Sequence, residues 1–194
     1  MSQLAMFQLT EDDQQLLLQI ARNSVRSYLL SQSPRLPDLP AGGLTETRGI
    51  FVSIHRQDEL RGCIGNLHPA GPLFRSAAEC AIAAAVGDPR FMPLMPGELD
   101  EVEFEISVLS PMQYVHNVAE IEIGRHGLLI TRKNSRGLLL PQVAATCGWS
   151  RQRFLEEVCK KAGLPPDDWK DGATIHCFSA FIFGDKQFHC FAAT

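Results

Sequence analysis

Arg48-Gly49-Ile50-Phe51-Val52-Ser53-Ile54-His55-Arg56, then Gln57-Asp58-Glu59, then Leu60-Arg61-Gly62-Cys63-Ile64-Gly65, is the stretch on which the fold turns. Ile50, Val52 and Ile54 recur at every second position, the period of a half-buried strand, and the polar triplet after them reads as a turn. The hexapeptide 60–65 is then the returning strand of a β-hairpin, so the pairing is antiparallel. Gly62 and Gly65 are poor strand residues, costly in entropy and with nothing to pack. They point to a bulge, a kink or a site where something sits against the main chain. Cys63 between them has two readings: a reactive thiol beside the Arg61 guanidinium, or a buried, inert thiol in a tight β-corner, because free cysteine is among the most buried residue types.

Working outward, Glu101 to Val108 alternates apolar and polar residues without a fault, which predicts a strand over Glu101 to Leu109 with Val102, Phe104, Ile106 and Val108 buried. Its glutamates are a solvated sheet face or a cation site. Pro111 closes it. Further strands are expected at Ile121 to Ile123, Leu128 to Lys133 and Gly137 to Leu140, the last two joined by an Asn134 to Gly137 turn into an antiparallel meander. Thr174 to Phe183, apolar on both faces, predicts one central strand covered on both sides.

Helical signals fall between these strands. Thr10 precedes three acids and an apolar-periodic run to Leu29, the pattern of an N-capped helix. Pro72 opens an alanine-rich helix running to Val86, and Gly87-Asp88-Pro89 ends it. Leu140-Pro141-Gln142 starts a short helix. Ser150 caps another over Arg151 to Ala162, with Gly163 just beyond. Ser31 to Gly43 holds three prolines and two glycines and is a loop. Helices and antiparallel strands without regular βαβ alternation make an α+β fold with antiparallel sheets and flanking helices.

The chain has 194 residues, 45% of them hydrophobic and 21% charged, with a net charge of −4. That balance disfavours nucleic acid or an anionic membrane as partner. The N-terminus lacks a basic region and a sustained apolar run, and the Ala77 to Val86 stretch, interrupted by Glu79, is too short for a bilayer. A cytoplasmic location is expected. Cys63, Cys80, Cys147, Cys159, Cys177 and Cys190 form no CxxC pair and read as reduced thiols. In His176-Cys177 and His189-Cys190 strand neighbours point to opposite faces, so no metal site is expected there.

Three further groups could do chemistry. A nucleophilic cysteine needs a cation or a base nearby, and His126, framed by Gly124 and Gly127, is the distal candidate for the base or else a surface turn residue. Asp88-Pro89-Arg90-Phe91 is either a structural Asp-Arg pair locking a loop or a site where Arg90, with Arg61, holds an anion. Gln142 hydrogen-bonds a ligand or caps backbone.

The hexapeptide 60–65, Asp88 to Phe91, Glu105 to Pro111, Gly124 to Leu128, Gly137 to Val143 and Gly148-Trp149 closely resemble, in order, the motifs of the AMMECR-domain family, known in bacteria and archaea as AmmeMemoRadiSam system protein A. Asn66 departs from the small hydroxyl residue of many members. The resemblance covers most of the chain and implies one AMMECR-type domain over 1–194, built as two unequal, interwoven subdomains with a cleft between them. It also implies association with a Memo-type protein and a radical SAM enzyme. Its signature positions here are Arg61, Gly62, Cys63, Gly65, Asp88, Arg90, Glu105, His126 and Gln142. The reaction, the cofactor and the oligomeric state stay open. Two functions stand on these residues. One is an enzyme using Cys63 on a small or peptidyl anionic substrate, with His126 or Glu105 moving protons, and Arg61 and Arg90 holding the anion. The other is a non-catalytic binding or adaptor module presenting the same residues.

Overall fold

The computed structural model describes residues 9–33, 36 and 42–189. The expectations for the first eight residues, for the proline-rich segment 34–41 apart from residue 36, and for the His189-Cys190 pair lie outside them. In chain order the elements are α1 (Glu11–Leu29), β1 (Ile50–Arg56), β2 (Glu59–Asn66), α2 (Leu73–Val86), β3 (Glu103–Leu109), β4 (Gln113–Tyr114), β5 (Gly127–Arg132), β6 (Ser135–Leu139), α3 (Pro141–Thr146), α4 (Arg151–Lys161), β7 (Thr174–Phe178), β8 (Ala180–Gly184) and α5 (Asp185–His189). The described residues form two four-stranded sheets, ordered β2-β1-β3-β8 and β4-β7-β5-β6, and the fold is α+β with antiparallel pairing. The chain divides into two compact units, the larger from residues 1–108 and 181–194 and the smaller from Leu109–Ala180. No helix among the described residues is long and apolar enough to cross a membrane.

In the larger unit, α1 starts where Thr10 and Asp13 cap each other reciprocally, each side chain accepting the other's backbone N–H at 3.1 Å. Its face of Leu17, Leu18, Ile20, Ala21 and Val25 is buried, and α2 packs on it and on β1 and β2. Pro72 stands at the N-cap of α2 rather than inside its first turn. The alternation of β1 and β3 holds: Ile50, Val52, Ile54, Phe104, Ile106 and Val108 are at most 1% exposed and Val102 is 3% exposed. β3 itself begins at Glu103, because Pro96–Glu101 is a 3-10 helix. The hairpin turn is two residues, Gln57 and Asp58, at φ 51° and 67°. That is the left-handed pair whose twist matches flanking strands, and it leaves Glu59 inside β2.

In the smaller unit, α4 packs on β5 and β6, and Phe154, Leu155 and Val158 are buried with Leu128 and Ile130. Ser150 accepts the Arg153 N–H at 3.2 Å as its cap. Two strand expectations are corrected here. Ile121 to Ile123 is not a strand: the N–H groups of Arg125 and His126 both bond back to the Glu122 carbonyl, and Gly124 sits at φ 83°, so the segment curls into a turn. Thr174 to Phe183 is not one central strand. It breaks at Ser179, whose N–H and C=O pair with Ser110 Oγ and N at 2.9 Å, and its halves join different sheets. β7 lies between β4 and β5, whereas β8 is an edge strand. The β5–β6 turn is Lys133-Asn134, tighter than the predicted Asn134 to Gly137, with Lys133 at φ 52°.

Candidate functional site

β1 pairs with β2 in the register Ile54 to Gly62, then His55 to Leu60, which leaves Arg61 as the extra residue of a bulge. One of the features suggested by the glycines is therefore present, and the glycines themselves answer to protein. A Cβ on Gly62 would lie 2.2 Å from the Ala84 carbonyl oxygen of α2, and one on Gly65 would lie 2.3 Å from the Phe51 ring. The close approach at both is made by protein backbone and side chain.

Cys63 stands opposite Ser53, and Ser53 stands opposite Glu105, so a thiol, a hydroxyl and a carboxylate form one row across β2, β1 and β3. This row lies on the face opposite Ile50, Val52 and Ile54. The Ser53 hydroxyl donates to Cys63 Sγ at 3.2 Å. Sequence reasoning missed Ser53. The available signal was its place among the polar positions of β1, but its partner depends on register.

The loop after α2 caps the outer edge of β2. Asp88, 5% exposed, accepts the Cys63 N–H at 2.9 Å and the Arg90 N–H at 3.1 Å. Arg90 also donates its Nε at 2.9 Å and its Nη2 at 2.6 Å. Arg90 Nη2 further donates to the Cys63 carbonyl at 3.3 Å, and its side chain is 49% exposed. The Asp88–Arg90 hydrogen bonds, first of all, hold the Asp88 carboxyl well below the usual carboxylate range. The structural pair and the exposed guanidinium thus coexist, because the Asp-Arg lock uses Nε and Nη2 and turns the rest of the fork outward.

Arg61 has a different position. Its Nη1 donates to the Met92 carbonyl at 2.7 Å, it pairs with Glu98 at 3.3 Å, and it is 18% exposed. The Asp88 loop is thus bonded to the hexapeptide at the Cys63 N–H, and Arg61 tethers the loop farther along. His126 and Gln142 belong to the smaller unit. His126 Nδ1 accepts the Glu122 N–H at 3.1 Å, which is a turn-stabilising contact. Gln142 lies in the first turn of α3.

The electrostatics of Cys63 bear on its two readings. Burial pushes its thiol above the ordinary value; Ser53 and Arg90 pull downward and are outweighed, while Asp88 and Glu105 add to the rise. The adjacent cation does not make a resting thiolate, because desolvation of the half-buried sulfur is the larger effect. Burial also pushes Cys80 up to about 11 and raises Cys159 and Cys177, whereas Cys147 is exposed. Iodoacetamide at pH 7 with peptide mapping is expected to label Cys147 well before Cys63, with Cys80 slower than both. Cys63 reacting first would reverse the assignment of a neutral thiol.

These features define a class: an α+β protein with two antiparallel sheets, one carrying a thiol–hydroxyl–carboxylate row beside an aspartate-locked arginine. The AMMECR1 family model matches residues 18–183, and the chain belongs to that family. It is 41% identical over 189 residues to Protein MK0488 of Methanopyrus kandleri, covering 92% of this chain and 91% of that protein. Against Protein TK0174 of Thermococcus kodakarensis it is 41% identical over 194 residues, covering 93% and 94%. The crystal structure of PH0010, an uncharacterized protein of Pyrococcus horikoshii, is similar at a TM-score of 0.83 and 38% identity, over 87% of this chain and 89% of that one.

Proposed function

We propose that this chain is an enzyme that uses Cys63 as a nucleophile on a small or peptidyl substrate carrying an anionic group. The observation that supports the reading is the Cys63–Ser53–Glu105 row, with Arg90 Nη2 on the Cys63 carbonyl at the edge of β2. The thiolate is the attacking form of a cysteine, so the Sγ proton has to leave as the new bond forms. The S–H bond breaks, an Sγ–C bond forms at the carbonyl carbon, and the proton reaches the carbonyl oxygen through the Ser53 hydroxyl. Arg90 Nη1, which makes no hydrogen bond among the described residues while the guanidinium lies 5.3 Å from the Phe91 ring centroid, holds the anion. Arg61 and Asp88 position the strand and the loop. Glu105 is two strands from Cys63, about 10 Å at the usual strand spacing, beyond direct proton transfer, so its carboxylate acts on the substrate. A cytoplasmic location, supported by the N-terminal sequence, and work beside a Memo-type protein and a radical SAM enzyme, supported by the family resemblance, belong to the same proposal.

A binding or adaptor module is the second reading, favoured by the raised Cys63 thiol. Untargeted metabolite profiling separates the two. Wild type and Cys63→Ser are incubated with cell extract, and bound metabolites are read in parallel by equilibrium dialysis. The enzyme reading expects at least one metabolite consumed by wild type only. Equal profiles with equal retention by both proteins would leave the binding module.

A further inference from the structure

On the same face of the first sheet lies a cavity of about 430 Å³, lined by His55, Glu103 and Glu105, by Asp58 of the hairpin turn, and by Phe183 and Lys186. His55 is opposite Glu103 in register, one diagonal step from Glu105. The charged groups fall into two sets. Lys186 pairs with both Asp58 and Glu103, and the neighbouring Asp185 pairs with Arg22, so these carboxylates are neutralised within the protein. The Glu105 side chain makes no hydrogen bond or ion pair among the described residues. Nor does His55, whose Nε2 is buried without a partner. That atom is closed off from solvent, so the group open to a ligand here is the Glu105 carboxylate, which accepts hydrogen bonds.

Resting on the reading of Cys63 and Arg90 above, we infer that this cavity takes the ammonium end of a zwitterionic substrate, a short peptide with a free α-amino group whose carboxylate lies at Arg90. The ammonium donates to Glu105. Length supports this class. Arg90 sits outside β2 and Glu105 on β3, a span of two to three strand spacings, about 10–15 Å. Three or four extended residues cover about 10–14 Å, whereas a single amino acid reaches about 4 Å. The scissile or reacting carbonyl of such a peptide passes over Cys63 between the two charged ends.

Isothermal titration with triglycine and tetraglycine, each also as the N-acetyl and the C-terminal amide form, tests the assignment on the full chain. Binding of the free peptides is expected, with about tenfold or greater loss on N-acetylation and a similar loss in Glu105→Gln. No binding of either free peptide at millimolar concentration overturns the inference, as does equal binding of free and N-acetyl forms. The N-acetyl arm uses wild-type protein, so the test stands even where Glu105→Gln does not fold. The two readings fail separately. Insensitivity to N-acetylation with sensitivity to C-terminal amidation and to Arg90→Gln leaves the anion site and removes the ammonium site. The reverse pattern removes the role of Arg90.

Discussion

Gly62→Ala is expected to destabilise the protein by about 3 kcal/mol or more, toward the upper end of what overpacking costs. The added Cβ would lie 2.2 Å from the Ala84 carbonyl oxygen and 3.1 Å from the carbonyl carbon. Both atoms are main chain in the last turn of α2, and a backbone carbonyl there cannot rotate aside as a side chain can. β2 and α2 would have to separate, loosening the packing of Ala77, Ala81 and Ala84, each at most 1% exposed. Urea midpoints measure the effect. Gly97→Ala, with nothing within 4 Å of its Cβ, is the control expected to stay near wild type. Adding Ala84→Gly should give no rescue, because the obstructing atom is main chain. A Gly62→Ala midpoint matching wild type, or full rescue by Ala84→Gly, would contradict this packing.

Asp88→Ala should cost about 2 kcal/mol at pH 7, the scale for leaving a backbone N–H without its charged hydrogen-bond partner. The carboxylate accepts from the Cys63 N–H and three times from Arg90, and its side chain is 2% exposed. Without it the outward N–H of Cys63 loses its partner, while Arg90, half exposed, recovers water; the loss falls mainly on the β2 edge. The dependence on pH follows from the direction of the shift. Asp88 has a folded pKa below its unfolded value, so its contribution is fully present above the unfolded pKa of about 3.9 and is lost as pH falls through the folded one. The stability gap between wild type and Asp88→Ala should therefore be constant from about pH 7 to 5 and narrow steadily below about pH 4. Denaturation at pH 7, 5, 4 and 3 reads it directly, and a gap that widens toward acid would falsify the assignment.

Much of the fold was legible because its causes are local. The alternation of Ile50, Val52 and Ile54, and of Val102 through Val108, needs only a two-residue period, and Thr10 and Ser150 cap helices through contacts three residues away. The break at Ser179 was not legible. The residues on both sides of it are equally apolar, and what divides them is pairing with Ser110, 69 residues away. The Ile121 to Ile123 alternation was too short to outweigh the turn at Gly124.

The candidate site divides in the same way. By itself the sequence determined an α+β chain of capped helices and antiparallel hairpins, and it put a thiol, two arginines and an aspartate into two short motifs. Only the tertiary structure decided their tasks. Strand order β2-β1-β3 aligned Cys63 with Ser53 and Glu105. Packing against Ala84 and Phe51 explained the glycines, Glu98 and the Met92 carbonyl occupied Arg61, and burial pushed the Cys63 thiol upward. The physical reason is range. Periodicity and capping act over a few residues and are written along the chain, whereas register, desolvation and the choice of ion-pair partner arise between segments that only the folded chain brings together.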